Sequence, residues 1–158
     1  MVGYVLLIVA VIVMSTIVYQ GLKTYVPREI LDCPDGVSVF IKDVNCSISL
    51  PNHTLSITLQ NNGRFNLGGY FIHATDDTRT VDLSNNLVEV AYQAENLIRF
   101  GLDDANSLSP QDEQDYNFDL DGQIYSIAIT PVRFQEEDGK LRLASCSNAK
   151  VREEVSCI

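Results

Sequence analysis

The stretch Val2-Gly3-Tyr4-Val5-Leu6-Leu7-Ile8-Val9-Ala10-Val11-Ile12-Val13-Met14-Ser15-Thr16-Ile17-Val18 decides how this chain is built. It carries no charge, and the first charged residue after it is Lys23. Apolar side chains at every helical phase leave no polar stripe for water, so the segment needs lipid or other apolar helices around it. A helix from Val2 to Val26 would be roughly 37 Å long, more than the thickness of a hydrocarbon core of about 30 Å. The many Val and Ile residues do not forbid it, because in lipid only helices and closed barrels pair their own backbone. One long helix is expected. Pro27 closes it, since proline lacks an N–H and disfavours the α region for Val26. Tyr19, Lys23 and Tyr25 near its end suit a membrane interface, and equally suit packing where helix meets domain.

Past Pro27 the pattern changes to short alternating segments, turn residues and acidic charge. The organisation expected is a hydrophobic helix over residues 1–27 and a single domain over 28–158, long enough to bury its own core. The formal net charge is -10, with 11 basic residues scattered among 21 acidic ones, which argues against nucleic acid as a partner. Such acidity suits a solvated outer surface.

Pro34-Asp35-Gly36 is turn chemistry, followed by a strand through Val37, Val39 and Ile41. Leu50-Pro51-Asn52-His53 turns the chain into a second strand with Leu55, Ile57 and Leu59 on one face. Asn61 to Asn66 reads as a loop, and Gly69 to Ala74 as a third strand with Tyr70 and Ile72 opposite Phe71 and His73. A strand or short helix is expected around Leu87 to Tyr92, and a polar loop from Asp103 to Gln114. Alternation returns from Asp115 through Tyr116, Phe118 and Leu120, then through Tyr125, Ile127 and Ile129, with Val132 and Phe134 beyond Pro131. Glu136-Glu137-Asp138-Gly139 is a hairpin turn leading to Leu141 and Leu143. Ser147 is placed to cap a final short helix through Val155. Many short strands with turn signals and little other helix predict an α+β chain: the long N-terminal helix, then an immunoglobulin-like β-sandwich head.

Four cysteines, Cys33, Cys46, Cys146 and Cys157, form no close metal-binding pair, and there are only two histidines. Two disulfides in an oxidising compartment are the better account. Cys33 and Cys46 flank a strand and Cys146 and Cys157 flank the expected helix, whose rise of roughly 15 Å exceeds the 7 Å or so that a disulfide spans between Cα atoms. Long-range bridges are therefore expected, with Cys33 to Cys157 and Cys46 to Cys146 preferred among three connectivities. Two N-x-[ST] sequons, at Asn45 and Asn52, point to the same exterior location, Asn52 the better acceptor because it sits in a turn.

The positive-inside rule cuts against this location. Lys23 and Arg28 both follow the helix, and that asymmetry alone would leave the downstream domain in the cytoplasm. A short basic leader upstream, removed before assembly, resolves the conflict; a conventional signal peptide does not, because no Ala-x-Ala follows the apolar run.

An apolar helix beginning Met1-Val2-Gly3-Tyr4-Val5-Leu6-Leu7-Ile8-Val9, continued by Tyr19-Gln20-Gly21-Leu22-Lys23 and Tyr25-Val26-Pro27, then a small acidic β-rich domain, resembles a mature archaeal type IV pilin. The resemblance is close over the first 27 residues and architectural beyond them. Val5 stands where bacterial pilins typically carry Glu, which favours the archaeal branch. The resemblance implies a prepilin peptidase that removes a basic leader, pilus assembly machinery, residence in the membrane before assembly, and self-association of the apolar helices in the centre of an extracellular filament.

Asp115-x-Asn117-x-Asp119-x-Asp121-Gly122 has the alternate oxygen ligands of a calcium loop. Counted from Asn117, however, the twelfth position is Ala128 where a bidentate Glu is required, and the intervening Tyr116, Phe118 and Leu120 fit a half-buried strand better. His53 and His73 have no ligand-spaced partner. No G-x-S-x-G, P-loop or dinucleotide fingerprint is present, so neither catalysis nor a cofactor is expected. The function expected is a filament subunit assembling through Val2 to Val18; the competing expectation is a membrane-anchored extracellular binding domain, or minor pilin, that never forms the bulk of a filament.

Overall fold

A computed structural model describes residues 2–24, 31–49, 52–76, 97–120 and 122–158. The chain divides into two compact units, Met1–Ile30 and Leu31–Ile158.

The first unit holds the helix α1 (Val2–Thr24). The expected closure at Pro27 lies outside the described residues. The second unit holds eight strands among its described residues: β1 (Val39–Ser49), β2 (Asn52–Asn61), β3 (Gly69–Thr75), β4 (Leu97–Arg99), β5 (Glu113–Leu120), β6 (Ser126–Glu137), β7 (Lys140–Ser145) and β8 (Val151–Glu154). The chain is thus α+β, one apolar helix followed by an antiparallel β domain. One sheet runs β1-β2-β5; the other runs β4-β3-β6-β7, with β8 also pairing to β6. The segment expected around Leu87 to Tyr92 lies outside the described residues.

Period-two alternation drives the packing of both sheets. Leu55, Ile57 and Leu59 of β2 face Tyr70, Ile72 and Ala74 of β3 and Ile127 and Ile129 of β6 in one shared core. β1 obeys the same rule only after a correction. Its register with β2 shifts between Ile41 and Asp43, a bulge at Lys42, so the inward positions change from Val37, Val39 and Ile41 to Val44 and Cys46. One inserted residue flips every later side chain to the other face. Cys46 is thereby buried, and Asn45 and Ser47 face solvent.

β6 is a central strand that contains proline. The carbonyl of Pro131 accepts from the Cys146 N–H at 2.9 Å, so the missing proline donor would point to the same side. On that side β7 pairs only as far as Val132 and β8 only as far as Ile129, so the ladder is interrupted where proline has no N–H to give. The β6–β7 hairpin falls where Glu136-Glu137-Asp138-Gly139 predicts it, with Glu137 opposite Lys140. Asp138 and Gly139 adopt φ of 53° and 69°, as a two-residue primed turn requires.

Three expectations are corrected. The final helix does not form: Ser147–Ala149 is a short 3₁₀ turn, and Val151–Glu154 runs as β8 on β6. Its backbone groups find an open sheet edge, and Val155 buries itself behind it. β5 starts at Glu113, ahead of the expected Asp115. The disulfides are Cys33–Cys146 and Cys46–Cys157, with Cα atoms 5.1 and 4.4 Å apart. Both tie the C-terminal segment to the start of the domain, as reach predicts, but the partners are exchanged. Because residues 150–158 return as extended chain, Cys157 lies beside Cys46, and Ile158 exchanges backbone hydrogen bonds with Cys46 and Ile48. Cys146, at the end of β7, is left next to Cys33.

Candidate functional site

Two features of the chain have the properties of sites, one in each unit. The first is α1 itself. Tyr4, Val5, Leu6, Leu7, Ile8, Val9, Val11, Ile12, Val13, Met14, Ile17 and Val18 are all exposed, and none of the residues in the window Gly3–Leu22 is buried. Leu7, Val11, Met14, Val18 and Leu22 line one face at spacings of four, three, four and four residues, which keeps them on one side of the helix. A Cβ added at Gly3 or Gly21 would meet nothing within 4 Å, so neither glycine is there to relieve crowding inside its own unit. Thr16 donates its hydroxyl to the Val13 carbonyl at 2.8 Å, which satisfies a polar group on an otherwise apolar rod. Length and composition allow this helix to cross a bilayer, as an anchor or a signal segment does, and two disulfides suit an extracellular setting.

The second feature is a polar recess of about 510 Å³ on the head, walled by Arg64, Phe65 and Asn66 from the β2–β3 loop, Asp104 and Asn106 from the β4–β5 loop, and Arg133 from β6. Sequence reasoning read both segments as loops and saw no site in them. Its frame is the fully buried Asn61. The Asn61 amide donates to the carbonyls of Phe65 and Leu108, both at 2.9 Å, its Oδ1 accepts from the Gly63 N–H at 3.0 Å, and its backbone pairs with Asp112 and Gln111. Leu67 and Leu108 exchange backbone hydrogen bonds below it. Asn106 is fixed to Phe134 by two bonds of 2.8 Å, donating to its carbonyl and accepting from its N–H. Gly68 allows the close approach: a Cβ there would lie 2.4 Å from the Ala105 carbonyl oxygen. The Arg133 guanidinium sits 4.5 Å above the Phe65 ring, a cation–π contact. Its buried Nε has no hydrogen-bond partner.

The remaining candidates behave as parts of the scaffold. Asp115, Asn117 and Asp119 lie in β5, where Asp115 accepts from the Thr58 hydroxyl at 2.7 Å and Asn117 from Ser56 at 2.6 Å across to β2. This is cross-strand pairing on the outer face, and among the described residues no three metal-ligating side chains converge. His53 and His73 are half-buried strand residues of β2 and β3. Asn45 is exposed in β1 opposite Ser56, beside a cysteine locked into a disulfide, while Asn52 opens β2 opposite Ser49.

Between the sheets Tyr70 packs against Phe100 at 5.3 Å and edge-on to Tyr116 at 5.2 Å. Neither tyrosine hydroxyl has a hydrogen-bond partner. Burial, together with the neighbouring Tyr116, raises the Tyr70 phenol far above its ordinary range, and burial pushes Tyr116 up to about 12.

Comparison with protein-family models, with curated proteins and with solved structures finds no match to this chain.

Proposed function

We propose that this chain is the structural subunit of an archaeal type IV pilus-like extracellular filament, polymerising through α1. The observation that carries this reading is a helix apolar on all sides whose residues from Gly3 to Leu22 are all exposed. In water each covered Val, Leu or Ile is worth about 1.5–3 kcal/mol, so the rod does not persist alone. Lipid shelters it before assembly, and passage from lipid into a bundle of identical helices keeps it dry while adding close packing. Gly3, Ser15 and Gly21 supply the small positions at which backbones approach.

The acidic head forms the outer wall. Reading β1, β2 and β5 as strands A, B and E, and β4, β3, β6 and β7 as C′, C, F and G, gives the strand order of an immunoglobulin-like sandwich, which supports that finer reading of the head. Asn45 and Asn52 carry glycans on the filament surface. A prepilin peptidase and assembly machinery are the partners that follow from the likeness of residues 1–27 to archaeal pilins.

The test is assembly of the purified full chain as detergent is withdrawn. Filaments of uniform diameter are expected, and a chain lacking residues 1–26 is expected to stay a soluble folded monomer under all conditions. Full chains that enter liposomes singly and never polymerise would instead establish a membrane-anchored binding domain, the reading favoured by the recess on the head.

A further inference from the structure

We propose that the recess between the β2–β3 and β4–β5 loops binds a carboxylated sugar, with Arg64 and Arg133 pairing its carboxylate and Asp104 and Asn66 taking its hydroxyls. The inference does not depend on whether the chain polymerises.

The charge distribution is the first argument. Elsewhere on the head two cations pair with carboxylates, Lys42 with Glu113 and Arg142 with Glu137. Among the described residues no ion pair or hydrogen bond engages the guanidinium of Arg64 or Arg133, although Asp104 shares their recess. Two arginines left unpaired at one concavity, against the overall sign of the protein, form a local positive field that an anion can use.

The chemistry of arginine is the second. A planar fork of donors matches a carboxylate bidentately, and Arg133 is already oriented by its stack on Phe65, so little freedom is lost when it pairs. The ordering of the walls is the third. Asn61 and Asn106 spend their amides on loop and strand backbone, which holds the recess open before any ligand arrives. A purely cationic pocket would suit phosphate or sulfate. Here Asp104 adds a carboxylate to the same lining, which disfavours a multiply charged anion and suits a ligand with one carboxylate and several hydroxyls.

The experiment is a titration of the full chain, ¹⁵N-labelled and held in detergent micelles, with galacturonic acid, its methyl ester and acetate. Saturable shifts confined to Arg64, Phe65, Asn66, Asp104, Asn106 and Arg133 are expected with the acid. Binding of the ester should be at least about tenfold weaker, as follows from losing a charge-assisted hydrogen bond. Arg64→Gln should weaken the acid by a similar factor. Arg64 is exposed and is tied to Gly36 through its backbone N–H, which Arg64→Gln keeps, so this variant folds even where Arg133→Gln does not. Equal binding of acid and ester, acetate competing as well as galacturonic acid, or shifts elsewhere on the head would overturn the proposal. So would an Arg64→Gln chain that keeps its response to the sugar but loses self-association, which would give the recess to an acidic side chain of a second copy.

Discussion

The helix and the head use the same apolar residue types to opposite ends. Val11 in α1 is more than half exposed, while Val39 in β1 is 2 % exposed, and the sequence around each says why. Around Val39 apolar residues alternate with polar ones, so a sheet buries one face and wets the other. Around Val11 there is no alternation and no stripe, so the helix has no side to turn to water and must be covered all round. The contrast teaches that apolarity marks what must be covered, whereas periodicity tells whether the chain can do the covering itself.

That difference is sharpened most by breaking the covalent ties of the head. Reducing Cys33–Cys146 and Cys46–Cys157 removes bridges spanning sequence separations of 113 and 111 residues. Each native bridge of this kind is worth about 2–5 kcal/mol, so reduction should abolish the cooperative melting of the head while the helical circular-dichroism signal of α1 in detergent persists. Loss of both signals together would mean that the units are not independent.

A smaller effect comes from single truncations. Ile72→Ala empties a fully buried site and should cost the head about 2–5 kcal/mol in denaturant unfolding, whereas Val11→Ala should leave head stability within about 0.5 kcal/mol. On the proposed reading Val11→Ala is expected to weaken assembly instead, because the Val11 side chain is exposed.

Smaller again is the alkaline response of the tyrosine pair. A phenol whose folded pKa is raised stabilises the fold fully below its unfolded value near 10, and that stability is lost as pH rises beyond it towards the folded value. The head should therefore lose stability from about pH 10 upward, through about 12 for Tyr116 and beyond for Tyr70. Tyr116→Phe should reduce the slope between those values, and Tyr70→Phe should be neutral or stabilising at pH 7, because it deletes a buried hydroxyl that has no partner. A destabilising Tyr70→Phe would reveal a partner for that hydroxyl. The smallest change is expected from Lys42→Ala: its pair with Glu113 is exposed, at 51 % and 37 %, and should be worth no more than about 1 kcal/mol.

Much of this architecture was legible in the order of residues. Uninterrupted apolarity gave α1, and alternation gave β2, β3 and β5. Asp138-Gly139 gave the β6–β7 hairpin. What was not legible depends on tertiary geometry. Nothing in the local sequence announces the bulge at Lys42, yet it decides that Cys46 points inward and Asn45 outward. Residues 147–155 carry both a capping serine and two valines, and the vacant edge of β6 settled the competition in favour of β8. That one error exchanged the disulfide partners, since a helix and a strand deliver Cys157 to different places. The recess escaped notice because its walls come from three separated segments. An arginine in a predicted loop of an acidic chain, Arg64, was the single local clue.

The central claim is that α1 is covered by copies of itself, and photocrosslinking from within the helix tests it most directly. With a benzophenone amino acid at Val11 in the full chain, irradiation of material taken from the producing cell surface should give a ladder of covalent multimers joined through residues 2–24. Adducts to lipid alone, with the protein remaining monomeric, would contradict the account.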